Sequence, residues 1–259
     1  MSETINLLKR SLDNYNNFKN EDFVVNPSLP ILYFGDLNAY LKSEFKVVTA
    51  ALNPSDLEFK RIKSDKPNFD RFPDYDFSIN SLQLALNNYF KINPYKNWFG
   101  IKNISKKGFL PVLNGLDTCY YEDSKQNNAL HTDICSPLAT NPTWAGLSKR
   151  QKELLQTEGF KLWKDLILEI KPDLILISVK KEYLNKLPIE FIYTIKSKFS
   201  SSKKIEYKLN HYKLKLGDFK TNLIWGSAQN TPLQPFKNKY QLGIELKKYL
   251  TSYKKRHNE

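Results

Sequence analysis

Three short stretches carry polar side chains where apolar runs stop: Leu52-Asn53-Pro54-Ser55, Thr132-Asp133-Ile134-Cys135-Ser136-Pro137-Leu138 and Gln229-Asn230-Thr231-Pro232-Leu233. An amide such as Asn53 or Gln229 both donates and accepts, so it orients a water or a substrate but is a poor base. Asp133, when ionised, only accepts. His131 precedes Asp133 by two residues and so shares its face of a strand. There an imidazole either joins a pocket or packs as a satisfied core group. Asn-Pro after a strand is also an ordinary turn. The recurrence of polar strand ends is what points to a site, because ligands of open α/β sheets bind beyond the carboxyl ends of the strands.

The elements that must hold these residues are read from periodicity. Residues 3–19 predict a polar helix, with Ile5, Leu8 and Leu12 at helical spacing. Residues 45–52 are nearly continuous in apolar character, as in a strand covered on both faces. Residues 60–76 read as a long loop and 79–90 as a helix. A short strand at 130–135 stops at Ser136-Pro137, and 136–147 reads as an irregular loop. Ser148 is a candidate cap for a helix running to Ile170, which Pro172 ends. A third strand follows at 173–179, then one or two helices at 181–199. Alternation over 204–216 predicts an antiparallel excursion or hairpin. A fourth core strand spans 221–226 and a last helix 238–250, with a frayed basic tail at 251–259. Strands alternating with helices predict one α/β domain with a mainly parallel sheet.

Composition narrows the chemistry. Among the 259 residues, 40 Lys and Arg stand against 27 Asp and Glu, a net charge of +13. That balance fits a polyanionic partner or merely a solvated basic surface. Two cysteines, Cys119 and Cys135, cannot make a four-cysteine zinc or iron–sulfur site, and are expected as buried thiols. Only three histidines are present. MSETINLLKR has no apolar signal core, and the run Leu174–Ile177 is too short to span a bilayer. The expectation is a soluble, cytoplasmic, monomeric protein without metal or cofactor.

The order and spacing of the three polar stretches resemble the uracil-DNA glycosylase superfamily, nearest to its mismatch-specific and single-strand-selective branches. Those branches carry G-x-N-P-G after the first strand, where this chain has Ala51-Leu52-Asn53-Pro54-Ser55. The single-strand-selective branch has N-x-C-P-L near the second strand. Asp133-Ile134-Cys135-Ser136-Pro137-Leu138 is similar to it with one extra residue. The late motif H-P-S-P is replaced by Gln229-Asn230-Thr231-Pro232. Lys171-Pro172-Asp173 before an apolar strand is also family-like, and the resemblance covers about residues 45–250. It implies a three-layer sandwich around a mainly parallel four-stranded sheet. Residues 1–44 would then be a helical extension to a single domain of 259 residues.

The resemblance also implies an activity: flipping a pyrimidine nucleotide out of DNA and hydrolysing its glycosidic bond without a lyase step. Asn53 would position the attacking water, and Gln229 would stand where a His stabilises the departing base. Ser227, Asn230 and Thr231 would grip the DNA around the flipped nucleotide, and Leu233 would fill the vacated stack. Phe69 or Phe72 would stack on the base, with Phe72 favoured over Phe69. Asp133 stands where the family reads uracil with Asn. An ionised carboxylate suits the N4 amino group of cytosine instead. Ser55 is small where the strict uracil branch (Gly-Gln-Asp-Pro-Tyr-His) has a Tyr that excludes substituents on base carbon five. The pair points to a 5-substituted cytosine, as in some phage genomes, and to a defence role. Lys60, Arg61 and Lys63, Lys149, Arg150 and Lys152, and Lys237 and Lys239 would supply phosphate contacts. The competing readings are a uracil-excising repair glycosylase, a non-catalytic nucleic-acid-binding module on the same fold, and a nucleoside hydrolase.

Overall fold

The computed structural model describes residues 2–60, 68–101, 108–121, 127–196, 208–226, 232–233 and 236–257. In chain order the elements are α1 (Ser2–Phe18), α2 (Leu37–Lys42), β1 (Val47–Ala51), α3 (Ile79–Ile92), α4 (Lys96–Phe99) and α5 (Leu110–Gly115). They continue with β2 (Thr118–Cys119), β3 (Asn127–Asp133), α6 (Lys149–Ile170), β4 (Leu174–Ser178), α7 (Lys181–Leu184), β5 (Ile189–Lys196), β6 (Lys208–Leu216), β7 (Phe219–Gly226) and α8 (Lys239–His257). The fold is α/β with a mixed seven-stranded sheet in the order β2-β3-β1-β4-β7-β6-β5. The expected count of four strands is therefore corrected to seven. The four anticipated strands (β1, β3, β4, β7) are consecutive in that order, with β2 added on one side and β6 and β5 on the other.

β1, β3 and β4 are buried at every position; in β1 and β4 this leaves nearly continuous apolar runs rather than alternations, whereas β3 buries the polar Asn127, Asn128, His131, Thr132 and Asp133. β4 pairs parallel with β7, and β6 pairs antiparallel with both β7 and β5. Of the antiparallel excursion or hairpin expected over 204–216, the described part is one strand, β6, antiparallel to both neighbours and turning into β7 through Gly217 at a φ of 57°. Among the described residues of 181–199, the expected helices reduce to the single turn α7, and Ile189–Lys196 is the edge strand β5. The tail predicted to fray is helical to His257.

The chain forms two compact units. Unit 1 comprises residues 1–41, 50–94 and 130–172, and unit 2 comprises 42–49, 95–129 and 173–259. In unit 1, α1 packs on α6, with Leu7 and Leu8 fully buried and Arg10 bonded to Glu158 and Asp165. α6 starts at a capping box: Ser148 Oγ accepts from Gln151 N, and Gln151 Oε1 accepts from Ser148 N. It ends at Lys171 in the left-handed region, just before Pro172. Gly159 lets α6 approach the chain after β3, since a Cβ there would fall 2.0 Å from the Cys135 carbonyl oxygen. In unit 2, α8 packs on α5, and β5, β6 and β7 form the antiparallel side of the sheet. Cys119 and Cys135 are buried and not joined in a disulfide. No helix among the described residues is long and apolar enough to cross a membrane.

Candidate nucleobase site in unit 1

Unit 1 joins the carboxyl ends of β1 and β3. Ile134 N donates to Ala51 O at 3.0 Å and Cys135 N to Leu52 O at 2.9 Å. Asn53 ties the two loops together, its Nδ2 donating to Pro54 O (3.0 Å), Leu138 O (3.3 Å) and Thr140 Oγ1 (3.0 Å). Two of these partners are carbonyl oxygens, which only accept, so the orientation of the amide is fixed by chemistry. Its Oδ1 is left as the acceptor, with no donor among the described residues. Ser55 caps the 3-10 turn Asp56–Phe59, accepting from Leu57 N and donating to Asp56 Oδ1.

Strand alternation divides the end of β3. Thr132 faces α6, where its Oγ1 accepts from the indole of Trp163 at 3.0 Å. His131 and Asp133 face the other way, with 2% and 3% of their side chains exposed. Asp133 Oδ1 is buried and no donor reaches it among the described residues. His131 Nε2 lies 3.9 Å away, beyond a direct hydrogen bond. Burial drives the carboxyl of Asp133 well above the ordinary carboxylate range, and the charge of nearby Glu58 pushes in the same direction. Burial also holds His131 neutral, down to about 3. A shift in that direction favours the protonated form over the acceptor-only carboxylate. When it holds its proton, Asp133 accepts through one oxygen and donates through the other. That edge fits N3 and N4 of cytosine and N3 and O4 of uracil alike, so Asp133 does not choose between them.

Glu58, Arg71 and Tyr89 join this site without a signal for it in the sequence. Glu58 Oε2 accepts from Tyr89 Oη at 2.8 Å and stands 3.4 Å from Arg71 Nε. Burial raises Glu58 to about 7, against the lowering effects of Arg71 and Tyr89. Its spacing from Ser55, S-x-x-E, is that of a capping box, which disguises a buried carboxyl as a surface helix start. Tyr89 sits edge-on to Phe34 with centroids 4.6 Å apart, and Phe34 lies against the His131 ring at 5.5 Å.

Phe69 and Phe72 are each 1% exposed. Phe59 packs edge-on to Phe69 and stacks on Phe72, which also leans on Tyr89. Both rings are thus already packed in the wall beside Glu58. Lys60 and Lys237 are exposed. Leu233, in unit 2, is buried with φ at 52°, its N–H donating to Ser178 Oγ. Lys239, also in unit 2, is not a surface phosphate contact. It is fully buried, and its Nζ donates to Gly108 O and Pro232 O. Arg61, Lys63, Ser227, Gln229, Asn230 and Thr231 lie outside the described residues. Among the described residues no group of His, Cys, Asp and Glu is arranged to hold a metal. No family model, curated protein or solved structure matches the chain.

Proposed function

We propose that the chain is a monofunctional DNA glycosylase that takes a flipped pyrimidine against Asp133 and leaves an abasic site. A 5-substituted cytosine is the preferred base. The observation that carries this reading is Asp133: a buried carboxyl with an oxygen that no described donor reaches. Such a group costs stability and is retained where a ligand completes it. A neutral Asp133 offers one donor and one acceptor to a pyrimidine edge. Ser55, small and turned to its own cap, puts no bulk of its own against carbon five.

Asn53 Oδ1 orients the water. Its oxygen bonds to C1′ of the sugar as the C1′–N1 bond breaks, the electron pair leaves with the base, and a water proton ends on that base. An orienting amide gives little general-base help, so stabilising the departing base carries most of the barrier. The enzyme acts as a cytoplasmic monomer on single- or double-stranded DNA, in defence against modified phage genomes.

The test is to incubate the full chain with oligonucleotides holding one uracil, cytosine or 5-substituted cytosine, then cleave with alkali. Breaks at the substituted cytosine, lost in Asn53→Ala with DNA binding retained, are expected. Breaks at uracil alone would reassign the enzyme to uracil repair. Absence of breaks with binding intact would make it a binding module.

A further inference from the structure

The positive charge is not spread evenly. Unit 2 holds 25 Lys and Arg against 11 Asp and Glu, net +14, while unit 1 holds 15 against 16, net −1. Unit 2 also carries exposed aromatic rings. On the edge strand β5, Phe191 and Tyr193 are each 55% exposed. The Tyr193 ring lies nearly parallel to Tyr249 on α8, with centroids 6.1 Å apart and planes 19° apart. Tyr249 in turn lies nearly parallel to Tyr253, at 6.4 Å and 28°. Lys213 Nζ sits 5.8 Å from the centre of the Tyr253 ring. Three tyrosines thus form a ladder from a sheet edge onto a helix, flanked by cations.

The ladder is rigidly mounted. His211 Nε2 faces Asn222 Oδ1 at 3.0 Å, and Asn222 Nδ2 donates to Asp173 O, which makes Oδ1 the acceptor. His211 Nε2 therefore donates to Asn222, and Nδ1 meets the Tyr249 hydroxyl at 3.0 Å. Strand alternation puts Lys213, Lys215 and Lys220 on the His211 face. Glu190, the carboxylate of that face on β5, is tied to Lys215. The next face of α8 adds Lys254 and Lys255 to a cavity of about 530 Å³ floored by Phe45, Leu116 and Leu250, where Lys247 is tied to Asp117 and Glu44 also lines the wall.

We propose that β5, β6 and α8 form a platform for single-stranded DNA, on which bases stack against Tyr193 and the phosphates run along the lysines of unit 2. Exposed aromatic rings interleaved with lysines are the chemistry that holds single strands without reading their sequence. The charge complementarity is what selects a polyanion over an apolar protein surface. This surface is separate from the base chemistry of unit 1 and does not depend on it.

The test is fluorescence anisotropy of the full chain with a labelled oligothymidylate, at low and physiological salt. Tyr193→Ala should weaken binding at least about fivefold, and Tyr193→Phe, which keeps the ring, should not. Lys254→Glu with Lys255→Glu should flatten the log–log salt dependence by about 0.7 for each phosphate no longer neutralised. The readout is binding alone and involves no base release, so a failed excision reading leaves this result intact. Unchanged affinity in Tyr193→Ala overturns the proposal. So does a wild-type chain that ignores the oligonucleotide at low salt, the result expected if the ladder receives a protein.

Discussion

Both units bury titratable groups, but they use them in opposite ways. In unit 2, Lys239 is fully buried, yet its Nζ donates to two backbone carbonyls, and burial lowers it only to about 8. His211 is fully buried and has a partner on each ring nitrogen. In unit 1, Asp133 is as deeply buried, but its Oδ1 receives no hydrogen bond among the described residues. Burial alone therefore does not mark a site. Satisfied groups such as Lys239 and His211 tie elements together, while an unmet acceptor stores a cost that a ligand relieves. Charge follows the same division. The near-neutral unit holds the unmet acid, and the strongly basic unit presents the exposed rings.

The contrast is broken most severely at Asn53. Asn53→Ala should reduce base release about 100-fold or more, by analogy with loss of one positioned polar group, while DNA affinity measured by anisotropy stays unchanged. Lys239→Ala should instead act on the fold. It leaves the Pro232 and Gly108 carbonyls without their donor and should cost about 3 kcal/mol in chemical denaturation.

The pH dependence separates the two kinds of burial further. Glu58 is raised to about 7 and Asp133 moves the same way, so the folded state holds protons that the unfolded state releases from about pH 4.5. Their contribution is fully present below that pH and is lost as pH rises through 7. His131, lowered to about 3, has the opposite sign: its contribution is present above 6.5 and is lost as pH falls. Above pH 6.5 only the carboxyls act; most of the roughly 3 kcal/mol that Glu58 loses between pH 4.5 and 7 is gone by then, so stability should decline there by about 1 kcal/mol for Glu58. Glu58→Gln should flatten that decline in denaturation curves taken from pH 6.5 upward. The smallest effect should come from Tyr193→Ala, whose stability should stay within about 0.5 kcal/mol of wild type because the ring is exposed.

The buried strands were legible because burial on both faces leaves a continuous apolar run, as in Val47–Ala51 and Leu174–Ser178. β5 was not. Its residues alternate weakly because it lies at the sheet edge with Phe191 and Tyr193 outward, and a bulge between them shifts the period. The last turns of α8 read as a charged tail because Lys254, Lys255 and Arg256 dominate the sequence there. Tyr249 and Tyr253, four residues apart, anchor those turns on His211. His131 and Asp133 were legible from strand alternation. Their environment was not, since Glu58, Arg71 and Tyr89 come from a short turn, a loop and a helix distant in sequence. The protonation of Asp133 depends on that environment, and so the choice of base could not be read from the residue type.

The central claim is that Asp133 is kept for a ligand at the expense of the fold. Asp133→Leu, which keeps the branching and removes the unmet acceptor, tests it directly when thermal stability and base release are measured on the same preparation. The account predicts a protein more stable than the wild type by about 1–3 kcal/mol that no longer releases any pyrimidine. A less stable variant that still releases the base at the wild-type rate would contradict it.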